Sequence, residues 1–326
     1  MRNAESRLWA IVLAGGTGRR LKGVSGARGE EFLPKQFCRF GTDRSLLERT
    51  LDRIDPVAAR FRTVVVIQEG MQSAAGSQVA EFPGVRLAVQ PADRGTAAGV
   101  LLPLVDILVR DPGAEVVVVP SDHDFARPDD FLEGMQVARR VVRLDPARIV
   151  LLGSQAGRPA SDLGWIVPVA RWGGVPEPRC RGVARFVEKP SDPDARRLLA
   201  AGGLWNTMIV IARARELYDA FRAHARELAD VFLEYAMSNH EDRFRRLRDR
   251  CNGLPSVDFS ASILQAASNL SVVSLPERAG WTDLGVPGRL FDWLASREGR
   301  QRARAFGSSR PRKAESQAIS IEGDSP

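Results

Sequence analysis

The residues best suited to chemistry begin in the stretch 13–37, which reads LAGGTGRRLKGVSGARGEEFLPKQF. The apolar run Leu8-Trp9-Ala10-Ile11-Val12-Leu13 predicts a buried first strand. That strand delivers a glycine-rich turn, Ala14-Gly15-Gly16-Thr17-Gly18-Arg19-Arg20. Glycines allow close backbone approach and aim successive N–H groups at a ligand, which suits a phosphate chain. Arg19, Arg20 and Lys35 add positive charge. The turn lacks the Gly-Lys-Ser/Thr ending of a P-loop, and Leu21 stands where a dinucleotide fingerprint has its third glycine. The plain alternative is an ordinary tight turn after a strand.

Three later stretches carry chemistry of the same kind. In Val119-Pro120-Ser121-Asp122-His123 an acid lies just past the carboxyl end of a buried strand, where open α/β sheets bind ligands. Asp122 there can hold a metal ion or cap the following turn. Residues 90–97 read QPADRGTA and join a strand to a helix. Gln90 offers an amide donor and acceptor suited to a purine edge, and Gly95 permits close approach. Glu188-Lys189 closes a strand and in isolation reads as a solvated pair. With three histidines (His123, His224, His240), a histidine mechanism has few candidates.

Leu13-Ala14-Gly15-Gly16-x-Gly18-x-Arg20-Leu21, followed by Pro34-Lys35-Gln36-Phe37, resembles the signature of sugar-1-phosphate nucleotidylyltransferases, in the form of the mannose-1-phosphate guanylyltransferase branch. The likeness runs from about residue 8 to about residue 290. It implies an enzyme that transfers a nucleotidyl group from GTP to mannose-1-phosphate, releasing pyrophosphate and forming GDP-mannose. Such a reaction crowds negative charge onto oxygens. It calls for cations, backbone donors and Mg²⁺ more than for a strong base.

The resemblance implies these roles. Gly15, Gly16, Thr17 and Gly18 cradle the phosphates with Arg20, and Lys35 stabilises the transition state at the α-phosphate. Asp122 holds the metal together with Asp283 of Trp281-Thr282-Asp283-Leu284-Gly285, and Asp124 is a weaker metal candidate. Gln90 and Gly95 face the base. Glu188 and Lys189 of Phe186-Val187-Glu188-Lys189-Pro190 face the sugar phosphate, with Asn206 and Gly164. His123 reads as a supporting residue, not a ligand. Three departures fall at the nucleotide lid and sugar pocket: Lys22-Gly23-Val24-Ser25-Gly26, Asp162-Leu163-Gly164-Trp165, and Met208 where a glycine is expected. They keep two rivals open, a sister enzyme with another base or sugar and a catalytically silent nucleotide-sugar-binding paralogue.

Apolar strands alternate with helices over the first 155 residues, which argues for an α/β fold with a mostly parallel sheet covered on both faces. Strands are expected at 63–67, 85–89, 115–120, 148–152, 164–169, 183–187, 205–211 and 270–274. Helices are expected at 43–55 (Asp43 or Ser45 as N-cap), 95–110 with a kink or break at Pro103, 128–143, 192–201, 213–250 broken near Ser238-Asn239, and 286–296. The resemblance adds that the sheet is Rossmann-like and mixed, of the nucleotide-diphospho-sugar transferase type. Residues 1–296 read as one nucleotidylyltransferase domain and 297–326 as a disordered tail.

Of 326 residues 44% are hydrophobic and 27% charged, an ordinary globular balance. The net charge of +7 is uneven, because residues 297–313 hold seven Arg and Lys against one acid, Glu298. That tail has no aromatic beyond Phe306, so it reads as solvated and not as a nucleic-acid site. Cys38, Cys180 and Cys251 form no CxxC pair, which argues against a disulfide framework or cysteine zinc site and fits a reducing cytoplasm. No apolar run reaches membrane-spanning length and no signal-peptide pattern opens the chain. The expected partners are the small-molecule substrates; a homo-oligomer is compatible with all of this.

Overall fold

Leu8–Leu13 forms the strand β1, and its side chains alternate between two apolar layers. Trp9 and Ile11 enter one layer, while Leu8, Ala10 and Val12 enter the other. A strand apolar on both sides fits only a sheet covered on both faces, and β1 lies inside one. The computed structural model describes residues 7–18, 33–40, 42–169, 177–239 and 241–296.

β1 pairs in parallel with β2 (Thr63–Gln68) and β4 (Glu115–Pro120), and β3 (Arg86–Gln90) extends the parallel set beyond β2. The other strands are β5 (Ile149–Gln155), β6 (Trp165–Pro168), β7 (Cys180–Val187), β8 (Leu204–Arg213) and β9 (Leu270–Leu275). The order across the sheet is β3-β2-β1-β4-β8-β5-β9-β7-β6. β8 runs antiparallel to both β4 and β5, so the sheet is mixed from that point. β6 also pairs with β8, so strands β8, β5, β9, β7 and β6 close on one another.

The crossovers carry α1 (Leu46–Ile54), α2 (Gln72–Val79), α3 (Gly95–Arg110) and α4 (Pro128–Leu144). α1 starts at a capping box: the Ser45 hydroxyl accepts from Glu48 N while the Glu48 carboxylate accepts from Ser45 N. α1 and α4 cover one face of the sheet and α3 the other. α3 runs unbroken through Pro103. α5 (Asp192–Ala200) follows β7.

The helical stretch after β8 breaks twice, not once. α6 (Ala214–His224) ends at Ala225, α7 (Arg226–Met237) follows at once, and α8 (Arg243–Asn252) comes after the expected break. At Ala225 the backbone opens to φ −148°, which re-aims the chain so that Leu228, Ala229, Val231 and Phe232 reach the α3 layer. α2 was not expected, because its sequence is nearly all polar or small and only Ala75 and Val79 are buried. A π-helical turn at Phe259–Leu264, capped by Asp258, was also unforeseen. α9 (Pro287–Ala295) is the last described element. The proposed tail at 297–326 lies outside the described residues.

Candidate active site

The four parallel strands end along one edge, and each delivers site residues there. β1 opens into residues 14–18, β2 ends at Gln68, β3 at Gln90, and β4 leads to Ser121 and Asp122. The glycine-rich turn is held from below. The Gln36 amide donates to Ala14 O at 2.7 Å and Gly16 O at 2.8 Å, and the Ser121 hydroxyl donates to Leu13 O at 2.7 Å. Gly15, Gly16 and Thr17 line a cavity of ≈ 260 Å³ together with Gln68, Gln90, Gly95 and Thr96. Gln90 is buried, and its Oε1 has no hydrogen-bond partner among the described residues. Gly95 has φ +80°, and a Cβ there would stand 2.3 Å from Val257 O. The close approach that requires this glycine therefore comes from the chain's own residue 257.

Lys35 is buried at the mouth of this turn. Its ammonium donates to Asp122 Oδ2 at 2.9 Å, Asp283 O at 2.8 Å and Leu284 O at 3.1 Å, which uses all three donors. Lys35 thus joins the residues at 122 and 283. Burial works to raise the Asp122 carboxyl, but Lys35 and the nearby His123 outweigh it and hold the group below the usual carboxylate range. The His123 imidazole accepts from Trp281 Nε1 at 3.3 Å. Burial pushes it down despite the charges of Asp122 and Asp283. His123 accordingly supports the two acids.

The two remaining acids differ in what they can offer. Asp124 accepts from Arg49 and from Trp293 Nε1, each at 2.6 Å, with Arg53 at 3.5 Å. Its oxygens are engaged with Arg49, Arg53 and Trp293. The Asp283 carboxylate lies on Arg289, with Oδ1 2.5 Å from Nε and Oδ2 accepting from Nη2 at 3.0 Å. Oδ1 is close to Nε but misaligned, and it has no hydrogen bond among the described residues. Arg289 also binds both oxygens of Asp162. Burial lowers the Arg289 guanidinium, and its two carboxylate partners more than reverse that.

A second group assembles around Gly164. A Cβ at this glycine would stand 2.5 Å from Glu188 Oε2 and 3.1 Å from Asn206 Cβ, so the bare backbone makes room for both. Glu188 Oε2 is buried without a hydrogen-bond partner among the described residues, and burial raises its carboxyl despite Lys189. Lys189 Nζ stands 3.3 Å from Glu188 Oε1 and is half exposed. Asn206 Oδ1 accepts from Met208 N at 3.0 Å, and Met208 has φ +61°. The departure at 208 thus occupies a left-handed position that a glycine would hold without strain.

Residues 257–265 bridge the two groups. Val257 packs on Gly95, Phe259 N donates to Thr96 Oγ1 at 2.8 Å, Asn206 Nδ2 donates to Ser260 Oγ at 3.5 Å, and Glu188 N donates to Gln265 Oε1 at 3.0 Å. Nothing in the sequence marked this segment, nor the anchoring role of Gln36, nor the pairing of Arg289 with Asp162 and Asp283. The only available signal was Gln36 itself, inside the Pro-Lys-Gln-Phe block. Arg19, Arg20 and Lys22–Gly26 lie outside the described residues.

A family model described as nucleotidyl transferase matches residues 9–298. The chain belongs to this nucleotidyl transferase family. It is 28% identical over 288 residues to the xanthan biosynthesis protein XanB of Xanthomonas campestris pv. campestris (strain B100), covering 86% of this chain and 58% of XanB. It is 25% identical over 302 residues to mannose-1-phosphate guanylyltransferase 2 of Escherichia coli O157:H7, covering 89% and 60%. The chain therefore spans about three fifths of the length of these relatives. Among solved structures, the mannose-1-phosphate geranyltransferase of Thermus thermophilus superposes with a TM-score of 0.72 at 24% identity, over 86% of this chain and 76% of that one. The inositol-1-phosphate CTP transferase of T. maritima gives 0.54 at 15% identity, over 95% and 99%. The fold of this nucleotidyl transferase is the nucleotide-diphospho-sugar transferase type, an α/β sheet with helices on both faces. Among the described residues no helix is long and apolar enough to cross a membrane.

Proposed function

We propose that this nucleotidyl transferase moves a nucleotidyl group from a nucleoside triphosphate, GTP by preference, to a sugar-1-phosphate, mannose-1-phosphate by preference. An oxygen of the sugar phosphate bonds to the α-phosphorus, the bond to the β-phosphate bridge breaks, and pyrophosphate leaves. The observation that carries this reading is Lys35, which ties Asp122 and residue 283 to the mouth of the glycine-rich turn. The buried acceptor Gln90 Oε1 suits a base on one side of the turn, and Glu188 Oε2 suits a sugar hydroxyl on the other. Residues 15–18 contribute backbone donors, and Lys189 contributes a charge for the sugar phosphate. Since the three donors of Lys35 are in use, it meets a phosphate by exchanging one carbonyl for it.

The donor set suits Mg²⁺, which takes one or two carboxylates and fills its shell with phosphate oxygens and water. Among the described residues there is no cluster of three or more acids, histidines or cysteines. Asp122 and Asp283 would hold the ion, Asp283 by sharing or exchanging its contact with Arg289. The ion supplies Lewis-acid neutralisation of the phosphate charge.

Met208 favours a second reading for the sugar. Its thioether accepts from Ser260 Oγ at 3.1 Å beside Asn206, so a side chain fills space that glycine would leave open. A sister activity on another sugar-1-phosphate follows from that. Steady-state kcat/KM over a panel of triphosphates and sugar-1-phosphates separates the readings. GTP with mannose-1-phosphate is expected to lead the panel, and equal or better turnover with another pair would reassign base or sugar.

A further inference from the structure

The Asp283 carboxylate does not stand free. It rests on Arg289, a residue of the first turn of α9 whose side chain is only 11% exposed. α9 is anchored by the fully buried Leu290, which packs with Leu46 and Leu284. The backbone of Arg289 is therefore fixed, and its guanidinium is shared between two acids. Nη1 donates to Asp162 Oδ1 at 3.2 Å and Nη2 donates to Asp162 Oδ2, a forked and well-directed pair. On the other side only Nη2 donates in line to Asp283, at 3.0 Å, and the Nε to Oδ1 approach is misaligned. The clasp closes over Gly285, where a Cβ would stand 2.4 Å from Asp283 Oδ2 and 3.3 Å from Arg289 Nη2.

We propose that Arg289 is an internal stand-in for the cation: its guanidinium holds the Asp283 carboxylate in the resting chain and withdraws onto Asp162 when a divalent ion claims that carboxylate. The proposal builds on the metal reading of Asp122 and Asp283. The asymmetry of the clasp sets its direction, because the forked bond to Asp162 keeps Arg289 paired after Asp283 leaves. A guanidinium is a weakly hydrated, permanently charged group, well suited to a half-buried place between two carboxylates. Holding Asp283 costs apparent affinity, because only the released fraction of molecules binds the ion. Arg289 and Asp162 are thus positioning residues that tune metal affinity in opposite directions.

The test is direct binding of Mn²⁺ alone, read by electron paramagnetic resonance of the free ion on the full chain, with native folding checked by far-ultraviolet circular dichroism. Wild-type binding should be lost in Asp122→Asn. Arg289→Gln should tighten Mn²⁺ by about fivefold or more, the lower end of ordinary coupling between two bound groups. Asp162→Asn should weaken it, since Arg289 then rests wholly on Asp283. Arg158→Gln removes an exposed charge that acts on Asp162 only through space, and should change little. General loss of structure would move Arg289→Gln and Asp162→Asn the same way, so opposite shifts support the latch. Unchanged or weaker binding in Arg289→Gln, or equal tightening in Arg158→Gln, overturns it while leaving the metal reading intact. Should Arg289→Gln not fold, Asp162→Asn decides alone, and unweakened binding there overturns the latch. Wild-type binding that ignores Asp122→Asn overturns latch and metal reading together.

Discussion

At the residue scale the pairing of Lys35 with Asp122 is the most testable feature. Its stability contribution has a defined pH window. The Asp122 carboxyl is depressed in the folded chain, so its contribution is complete above the unfolded value near pH ~4 and fades as pH falls toward the folded value. Asp122→Asn should cost about 1–3 kcal/mol at neutral pH in protein freed of divalent ions, the worth of a charge-assisted hydrogen bond. Urea melts of variant and wild type should draw together as the pH falls below the unfolded carboxylate value toward the depressed folded one. A gap that does not change with pH would contradict the assignment. Met208 offers a second test. Its left-handed backbone costs roughly 1–2 kcal/mol in a side-chain-bearing residue. Met208→Gly should hold the melting temperature within a few degrees, while the β-branched Met208→Val should lose more than about 2 kcal/mol. The reverse order would show that packing of the thioether, and not backbone strain, governs the position.

At the element scale, most of the parallel half of the sheet was legible because β1, β2 and β4 are apolar on both sides and short. β4 was read with its observed bounds, and of the two caps the sequence offered for α1, Asp43 and Ser45, the second is the one used. α2 was hidden because it has almost no apolar stripe, and the π-helical turn because no local pattern distinguishes it from an α-helix. The site followed the same division. Lys35 and Asp122 sit in short contiguous motifs, whereas the Arg289–Asp162 contact joins positions 127 apart and exists only in three dimensions. Residues 257–265 link the Gly95 and Asn206 regions only after folding, so no sequence pattern reports them. The Gln36 anchor of the glycine-rich turn makes an element-level prediction. Gln36→Ala frees two backbone carbonyls and loosens the turn, so KM for the triphosphate should rise several-fold with little change for the sugar phosphate. Equal effects on both substrates would mean that Gln36 supports the whole site and not the turn.

At the scale of the whole molecule, all three cysteines are buried, Cys251 and Cys180 in the apolar layers on the two faces of the sheet. Burial raises the Cys38 thiol to about 11 and the Cys180 thiol to about 12, and it raises Cys251 as well. The native protein should therefore resist iodoacetamide at pH ~8 and take up three equivalents only when denatured. Rapid labelling of the native state would show that the fold opens around one of them.

The central claim is nucleotidyl transfer to a sugar phosphate, and pyrophosphate release measures it most directly. With GTP, mannose-1-phosphate and Mg²⁺ together, release should be catalytic. It should vanish when the sugar phosphate is omitted and fall by about two orders of magnitude or more in Asp122→Asn. No release from any pairing of triphosphate and sugar-1-phosphate, or release that ignores the sugar phosphate, would contradict the account.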